Sequence, residues 1–340
     1  MYNRKQFCLG IFAALAMLML ITDAKTALLG AKEGIELCLY TVIPSLFPFI
    51  VLSAILSPML LGKPPSFLRI LGKLCHMPAG SESILVLSLL GGYPVGAECI
   101  YQAYASGQLH KKDAQRLLGF CNNAGPSFIF GIMGCIFSSA FVPWIIWLIH
   151  VLSAITVGIL LPGNSSAPCQ ISSKGFITLP QALERGIRTL SKVCGWIILF
   201  RIYLTFLSRW LLWLLPTSIQ TAIYGITELA NGCALLSQLP NSGMQFIFAC
   251  VFLAFGGFCV WMQTLSVTKQ LGAGCFFKGK LLQSLLSFLA AIFAQKFIFP
   301  QENALHIPIL LEISLISFGI FLLLRIFLRN KTGNFQKAVV

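Results

Sequence analysis

Long apolar runs alternate along the chain with short polar stretches that carry most of the Lys and Arg residues. A helix needs about 20 apolar residues to cross the hydrocarbon core of a bilayer. Runs of about this length predict an all-α polytopic membrane protein with about 8 transmembrane helices. We place these helices at 6–22, 41–61, 119–137, 141–161, 193–215, 243–267, 281–299 and 307–328.

Two further segments are too short and too interrupted to cross. In 84–106, the apolar stretch before Gly91-Gly92 is much shorter than a span. The polar stretches on both sides of this segment are basic, and basic loops accumulate in the cytoplasm, so both of its ends belong on one side. Residues 221–238 are similarly polar and broken. We therefore expect two re-entrant helical hairpins.

Two stretches mix charged and apolar residues at helical spacing, which is typical of amphipathic helices at the membrane interface. They cover 24–40 and 180–192, and each precedes a predicted span. The first apolar run, 6–22, follows Arg4 and Lys5 as in a signal peptide, but no clean small-x-small cleavage site follows it. We interpret it as an uncleaved first helix, with cleavage as the alternative.

Composition supports a membrane protein and excludes a soluble one. Hydrophobic residues make up 57% of the 340 residues and charged residues only 10%, against about 25% charged in soluble domains. The net charge of +14 comes from 24 Lys and Arg against 10 Asp and Glu. Placing the basic loops inside puts both termini in the cytoplasm of a multi-pass cell-membrane protein. No basic run is interleaved with aromatic residues, so the expected partner is the lipid bilayer and not nucleic acid.

The order of elements repeats within what we expect to be a single membrane domain, 1–340. Amphipathic helix, span, broken hairpin and glycine-marked span occur in residues 24–161 and again in residues 180–299. Residues 300–340 remain as a final helix and a basic cytoplasmic tail. The predicted topology starts one unit outside and the other inside, so the units are inverted repeats, an arrangement that allows alternating access around a midplane site.

Polar residues at membrane depth are costly and point to function, and irregular backbone there needs protein or a water-filled cavity around it. Asn and Glu side chains beside helix ends suit a small polar solute, and Glu228 also suits a coupling cation or a proton. Hydrogen bonds between helices are an equal alternative for the amides and Glu228, as is close helix packing for the glycines. Arg201 is expected to pair with Glu98 or Glu228. The candidate solute-binding residues are Gly91, Gly92, Tyr93, Pro94, Glu98, Asn122, Asn123, Gly125, Pro126, Glu228, Asn231, Gly232, Gly256, Gly257 and Gln263.

No sequence motif supports catalysis. The chain lacks a phosphate-binding loop, a G-x-S-x-G nucleophile motif and an H-E-x-x-H zinc motif. The 12 Cys form no C-x-x-C pair and the 4 His share no ligand spacing, so we expect neither a metal site nor a disulfide framework. We predict a protein that is not an enzyme and needs no cofactor, and a homo-oligomer is compatible with this prediction.

Two regions resemble a known family. The stretch GGYPVGAECI, a short basic connector and RLLGFCNNAGPSFIFGIMG, with TELANG and FGGFCVWMQTLSV later, resemble the YlbJ-type sporulation integral membrane proteins with nucleoside-recognition (Gate) domains. The resemblance covers roughly residues 25–330 and implies an endospore-forming bacterium and a role in spore formation. It also implies a Gate domain like that of concentrative nucleoside transporters and ferrous iron permeases. By that analogy the solute would be held by Gly92, Asn122, Asn123, Glu228 and Asn231.

The expected function is secondary transport of a small polar solute, either nucleoside-like or an ion. The alternative is a non-transporting membrane scaffold that is required for assembly of the spore cortex or envelope. The pair of broken hairpins with acidic and amide residues favours transport. For a scaffold, only changes in the surface loops would abolish the phenotype. Fold analogy alone does not identify the solute.

Overall fold

The computed structural model describes residues 4–60, 65–163, 177–268 and 271–300. Within these ranges the regular secondary structure is helical throughout, which confirms the all-α prediction. The α-helices are α1 (Arg4–Thr22), α2 (Ala24–Leu37), α3 (Ile43–Leu60), α4 (Leu68–Leu74), α5 (Glu82–Gly91), α6 (Val95–Ala105), α7 (Lys111–Leu118), α8 (Pro126–Ile136), α9 (Phe141–Leu160), α10 (Leu179–Trp210), α11 (Thr217–Thr227), α12 (Leu229–Ala234), α13 (Ser242–Phe255), α14 (Gly257–Thr268) and α15 (Gly274–Ile298).

Five helical segments within the described ranges are long and apolar enough to cross a membrane, which supports a multi-pass membrane protein. Shorter apolar helices occur at Gly10–Thr22, within α1, and in α8. The predicted span 307–328 lies outside the described residues, as does nearly all of the predicted tail. The five segments are Ala24–Leu60, Phe141–Leu160, Leu179–Trp210, Ser242–Thr268 and Gly274–Ile298, and they overlap the spans predicted at 41–61, 141–161, 193–215, 243–267 and 281–299.

The two predicted interfacial helices are not separate elements. Residues 24–40 continue through a π-helical turn, Cys38–Val42, into α3, so that one helical segment of 37 residues results. The wider turn lies just before Pro44, whose ring would clash with the backbone of a regular α-helix one turn earlier. Residues 180–192 likewise continue without a break into the 32-residue helix α10. The prediction of two separate helices before the spans was therefore wrong. Part of the polar face of 24–40 is turned towards α10, where Glu33 pairs with Arg201.

The α2–α3 segment packs against α10 along its length, and the two run antiparallel. A Cβ atom added to Gly30 would lie 2.8 Å from Ile202 Cα, and one added to Gly34 would lie 3.0 Å from Ile198 Cα. Further along, Gly186 of α10 meets the side chain of Val51. Small residues allow helix backbones to approach this closely, which is the usual basis of helix association in membranes.

Both predicted hairpins are present as pairs of short helices that fold back on each other. The arms α5 and α6 contact each other where Gly96 faces Ser88, and the arms α11 and α12 do so where Gly232 faces Gly225. Each arm is 6–11 residues long, which is too short to cross a bilayer. That the hairpins enter and leave the membrane on one side stays a prediction.

Two predicted spans are interrupted. Residues 119–137 do not form one helix, because regular structure begins only at Pro126. Gly125 is extended, at φ −81° and ψ 157°, as expected for a residue before proline, and Pro126 is well suited to the first helical position. The segment 243–267 is broken at Gly256 and Gly257, which have φ values of +81° and +75°, a conformation that favours glycine. Behind these breaks, α9, α13 and α15 pack on one another and form a frame.

Candidate functional site

The break in the first hairpin lies directly against the irregular stretch before α8. Gly92, between α5 and α6, has φ +74°. A Cβ atom added to Gly92 would lie 2.9 Å from the Gly125 nitrogen, and one added to Gly125 would lie 3.0 Å from Gly92 Cα. The two backbones are therefore in contact, and neither position has room for a side chain. This contact brings two of the predicted site segments together.

The second hairpin and the second interrupted span meet in the same manner. Gly257 follows the break between α13 and α14, and an added Cβ atom there would lie 3.1 Å from the Leu229 nitrogen. Glu228 occupies the break between α11 and α12, where its carboxylate caps α12. It accepts hydrogen bonds from the Ala230 nitrogen at 3.1 Å, the Asn231 nitrogen at 2.7 Å and Asn231 Nδ2 at 2.6 Å. The carboxylate is thus buried beside helix ends whose N–H groups it satisfies.

Contacts between the two units close the site. The Tyr93 hydroxyl donates to the Leu253 carbonyl at 3.2 Å, and Asn122 Nδ2 donates to Thr264 Oγ1 at 2.8 Å. A cavity of about 30 Å³ lies between the units, which is enough for one or two water molecules. Its polar lining residues are Tyr93, Glu228 and Gln263, and the remaining lining residues are Val42, Leu46, Ala124, Gly125, Phe128, Val193, Ile197, Leu229, Ala230 and Val260.

A charged network reaches the cavity from the long helix pair. Arg201 Nε and Nη2 donate to Glu33 Oε2 at 3.0 and 2.8 Å, and Arg201 Nη1 donates to Asn231 Oδ1 at 2.8 Å. Asn231 therefore links the guanidinium group to the Glu228 carboxylate. The expectation that Arg201 pairs with Glu98 or Glu228 was wrong, because the antiparallel contact of α2 with α10 places Glu33 opposite Arg201.

Glu98 lies apart from the cavity that Glu228 lines. Its carboxylate accepts a hydrogen bond from Thr189 Oγ1 at 2.9 Å. It lines a second cavity, of about 20 Å³, which holds about one water molecule. This cavity lies between α3, α6 and α10, and Arg185 also lines it. The structure therefore separates Glu98 from the central group of predicted residues.

A second polar cluster, which sequence reasoning missed, lies behind the first-unit break. Lys280 of α15 is fully buried, although the predicted span 281–299 begins only after it. Its Nζ atom donates to Gln283 Oε1 at 2.8 Å, Tyr93 Oη at 3.1 Å and Asn123 Oδ1 at 3.4 Å. His150 Nε2 accepts a hydrogen bond from the Ala124 nitrogen at 3.1 Å. The available signal was the position of Lys280 directly before the apolar run 281–299.

Apart from Glu98, the predicted residues thus fall into four groups. Gly92, Gly125 and Gly257 make the backbone contacts of the breaks, and Gly256 faces the Tyr93 hydroxyl. Gly91, Gly232, Pro94 and Pro126 shape the helix ends and hairpin packing. Tyr93, Glu228 and Gln263 line the central cavity, whereas Asn122, Asn123 and Asn231 lie behind it in hydrogen bonds between elements.

Comparison with known proteins finds one informative relative. The chain is 24% identical to the "Sporulation integral membrane protein YlbJ" of Bacillus subtilis (strain 168), in an alignment that covers 85% of this chain and 81% of that protein. No protein-family model matches the chain. No solved structure matches it either. The alignment extends over most of both chains, and it confirms the resemblance of this chain to the YlbJ-type sporulation integral membrane proteins.

Proposed function

We propose that the protein moves a small polar solute across a membrane of a sporulating bacterium by alternating access. The observation that carries the proposal is the convergence of the helix breaks of both units around one cavity, with Glu228 and Gln263 in its wall. Unpaired backbone groups at membrane depth are tolerated only inside protein or along a water-filled cavity. In secondary transporters, interrupted helices of this kind hold the solute and the coupling ion.

The chemistry of the wall defines the class of solute. Glu228 supplies a carboxylate, Gln263 an amide and Tyr93 a hydroxyl group, and apolar side chains supply the rest. Such a wall offers both hydrogen-bond donors and hydrogen-bond acceptors to a small polar molecule. The carboxylate can also take a proton or a monovalent cation, which would couple transport to an ion gradient.

The size of the cavity implies a conformational change. About 30 Å³ holds one or two water molecules, whereas drug-sized ligands occupy pockets of about 300–1,000 Å³. The described conformation is therefore closed to a nucleoside-sized solute and open at most to water or a small ion. The hairpins must move relative to the long helix pair for a larger solute to enter.

The architecture supports such a movement. The equivalent first helices of the proposed repeats, in residues 24–161 and 180–299, run antiparallel to each other, as inverted repeats require. Each repeat then carries one hairpin that contacts its own interrupted span. We propose on this basis that the hairpins are re-entrant and that both termini are cytoplasmic, because this topology places the basic loops inside.

The link to sporulation rests on the name of the Bacillus subtilis relative. A transporter in a sporulating cell would supply or remove a solute while the spore forms. The resemblance also implies a Gate domain and a nucleoside-like solute, and we include both in the proposal.

Ligand binding by the purified protein tests the proposal. Thermal stability is measured in detergent with a panel of nucleosides, dicarboxylates, amino acids and monovalent and divalent cations. A ligand that binds only the folded state raises stability by about 2.7 kcal/mol at a hundredfold excess over its Kd. We expect at least one ligand to stabilise the wild-type protein and to lose this effect in Glu228→Gln.

Glu98→Gln is the matched control, because it removes a partly buried carboxylate outside the central cavity. It should retain the response to the ligand. A response that survives in Glu228→Gln would move the solute away from the central cavity. No response to any ligand by a folded wild-type protein would contradict the transport proposal and favour a membrane scaffold.

A further inference from the structure

Lys280 carries a charge in an unusual place. It lies in α15, a helix long and apolar enough to cross a membrane, and its side chain is fully buried. Lysine at membrane depth is costly and is retained mainly where it has a function. The proposed transport mechanism does not use it, because Lys280 does not line the central cavity.

The residues around Lys280 make other hydrogen bonds that determine which of their atoms can accept a hydrogen bond from Nζ. The Tyr93 hydroxyl donates to the Leu253 carbonyl, so its oxygen accepts from Lys280. Asn123 Nδ2 donates to the Phe120 carbonyl at 2.7 Å, so Asn123 Oδ1 is the accepting atom that faces Lys280. A carbonyl oxygen cannot donate a hydrogen bond, so these two backbone contacts settle the orientation of both side chains.

Gln283 is oriented in the same way. Its Nε2 atom donates to the His150 carbonyl at 3.3 Å and to Asn123 Oδ1 at 3.2 Å, which leaves Gln283 Oε1 as the acceptor facing Lys280. Three acceptors therefore converge on Nζ. An ammonium group has three N–H bonds and no lone pair, so it matches this set, whereas a neutral amine has only two N–H bonds.

The three oxygens are uncharged. Arg188–Glu184, Arg201–Glu33 and Arg209–Asp23 are ion pairs between described residues, and Lys280 belongs to none of these three. Neutral carbonyl and hydroxyl oxygens suit a monovalent cation, whereas divalent cations are usually bound with carboxylates. We propose that Tyr93, Asn123 and Gln283 form a monovalent-cation site and that Lys280 fills it with its own tethered ammonium group.

The tethered cation joins the elements of the first-unit break. Tyr93 belongs to the turn of the first hairpin, Asn123 to the irregular stretch before α8, and Gln283 to α15. Gln283 continues the network to the His150 carbonyl on α9. A free ion at this position would dissociate, whereas a lysine holds the break together permanently. If the transport proposal holds, a free coupling cation belongs at Glu228 and not here.

Chemical rescue tests the site with stability as the readout, so its outcome does not depend on transport. Lys280→Ala removes the ammonium group and leaves a space for a short alkylammonium ion. The melting temperature of the purified variant is measured in ammonium, methylammonium, ethylammonium, sodium and tetramethylammonium chlorides at equal ionic strength. We expect Lys280→Ala to be destabilised, and ethylammonium to raise its melting temperature saturably by about 3–6 °C.

Tetramethylammonium has no N–H bond and should not rescue the variant. Lys278→Ala is the matched control, because Lys278 lies two residues earlier on the same helix and is exposed. Wild type and Lys278→Ala should not respond to ethylammonium. No rescue of a folded Lys280→Ala protein, or an equal response in all three proteins, would overturn the inference.

Substitutions at Gln283 decide the question if Lys280→Ala does not fold. Gln283→Glu places a carboxylate beside the ammonium group, whereas Gln283→Met removes the oxygen. With a cation in the site, Gln283→Glu should melt at a higher temperature than Gln283→Met. The reverse order would show that no cation offsets the buried carboxylate, and it would overturn the inference.

Discussion

The break of the first unit and the break of the second unit share their backbone contacts and differ in charge. In each, a glycine of one broken segment lies against the backbone of the other, Gly92 against Gly125 and Gly257 against Leu229. The first break is surrounded by neutral acceptors around the Lys280 ammonium group. The second is built around the Glu228 carboxylate. Two breaks with similar backbone contacts therefore have a cationic group at the first break and an anionic group at the second.

This difference separates two tasks. The first break is held by a cation that cannot leave, so it is the better fixed of the two. In the second break, Glu228 lines the central cavity, whose volume admits water or a small ion. We infer that the second unit carries the part of the site whose occupant changes during transport.

The largest expected effect concerns the glycine contact of the first break. Gly92→Ala forces a non-glycine residue to a φ of +74° and brings its Cβ atom to 2.9 Å from the Gly125 nitrogen. We expect a loss of about 3 kcal/mol of stability, from about 1–3 kcal/mol for the positive-φ conformation and the rest for overpacking. Thermal unfolding of the purified variants measures the loss.

Gly107 provides the control for a positive φ without a close contact. It has the same φ of +74°, and an added Cβ atom meets nothing within 4 Å. Gly107→Ala should cost about 1 kcal/mol. Equal losses for Gly92→Ala and Gly107→Ala would show that the contact between the two broken segments contributes nothing. Gly257→Ala extends the comparison to the second unit, where a loss like that of Gly92→Ala would show equally tight breaks.

An intermediate effect is expected for the charged network behind Glu228. Arg201→Met leaves Glu33 and Asn231 without their donor. We expect a loss of about 1–2 kcal/mol, because the pair is partly exposed and its carboxylate remains hydrated. The matched control is Arg188→Met, whose pair with Glu184 is exposed, with side-chain exposures of 70% and 71%. It should cost less than about 0.5 kcal/mol.

A double variant checks the origin of this effect. Glu33→Met combined with Arg201→Met removes both charges of the ion pair. It should be more stable than the sum of the two single losses predicts, because neither partner is left alone. Strict additivity would contradict the ion pair as a stabilising contact.

The smallest effect is expected for Glu98, which lies outside both breaks. In the Glu98→Gln variant, the amide oxygen of the new side chain can still accept the hydrogen bond from Thr189. We expect stability to change by less than about 0.5–1 kcal/mol. A loss of stability as large as that for Gly92→Ala would show that the residues around the second cavity stabilise the fold as much as the contact between Gly92 and Gly125 does.

The sequence predicted the broken segments well because their signals are local. Gly92 and Gly257 need conformations that other residues rarely adopt, and Gly125-Pro126 restricts the backbone before a helix. The hairpins followed from apolar runs too short to cross. Glu228, Asn122 and Asn123 stood out because polar residues are rare at membrane depth.

The features that the sequence did not predict depend on partners distant in the chain. Lys280 was left outside the predicted span because it stands just before the apolar run 281–299, and only the fold shows that it faces Asn123. Arg201 was paired with the wrong acid, because the antiparallel contact with α2 cannot be read from spacing along one helix. The stretch 24–40 continues into its span, and Glu33 in this stretch lies opposite Arg201 of α10, a contact that the periodicity of one segment does not show.

Access of water to the central cavity is the measurement that tests the account most directly. Ala230 lines the cavity, whereas Ala249 of α13 is equally buried and does not line it. Each is changed to Cys in a protein whose native cysteines are replaced, and reaction with a membrane-impermeant thiol reagent is followed in lipid vesicles. Gly107→Cys in an open turn gives the rate for full exposure.

A cavity that opens during alternating access predicts that Ala230→Cys reacts at a rate between those of Gly107→Cys and Ala249→Cys. A ligand found in the stability panel should slow this reaction, because the closed state excludes the reagent. If Ala230→Cys is as unreactive as Ala249→Cys, the converging breaks form a permanently closed core, and the proposal of a solute pathway through them is contradicted.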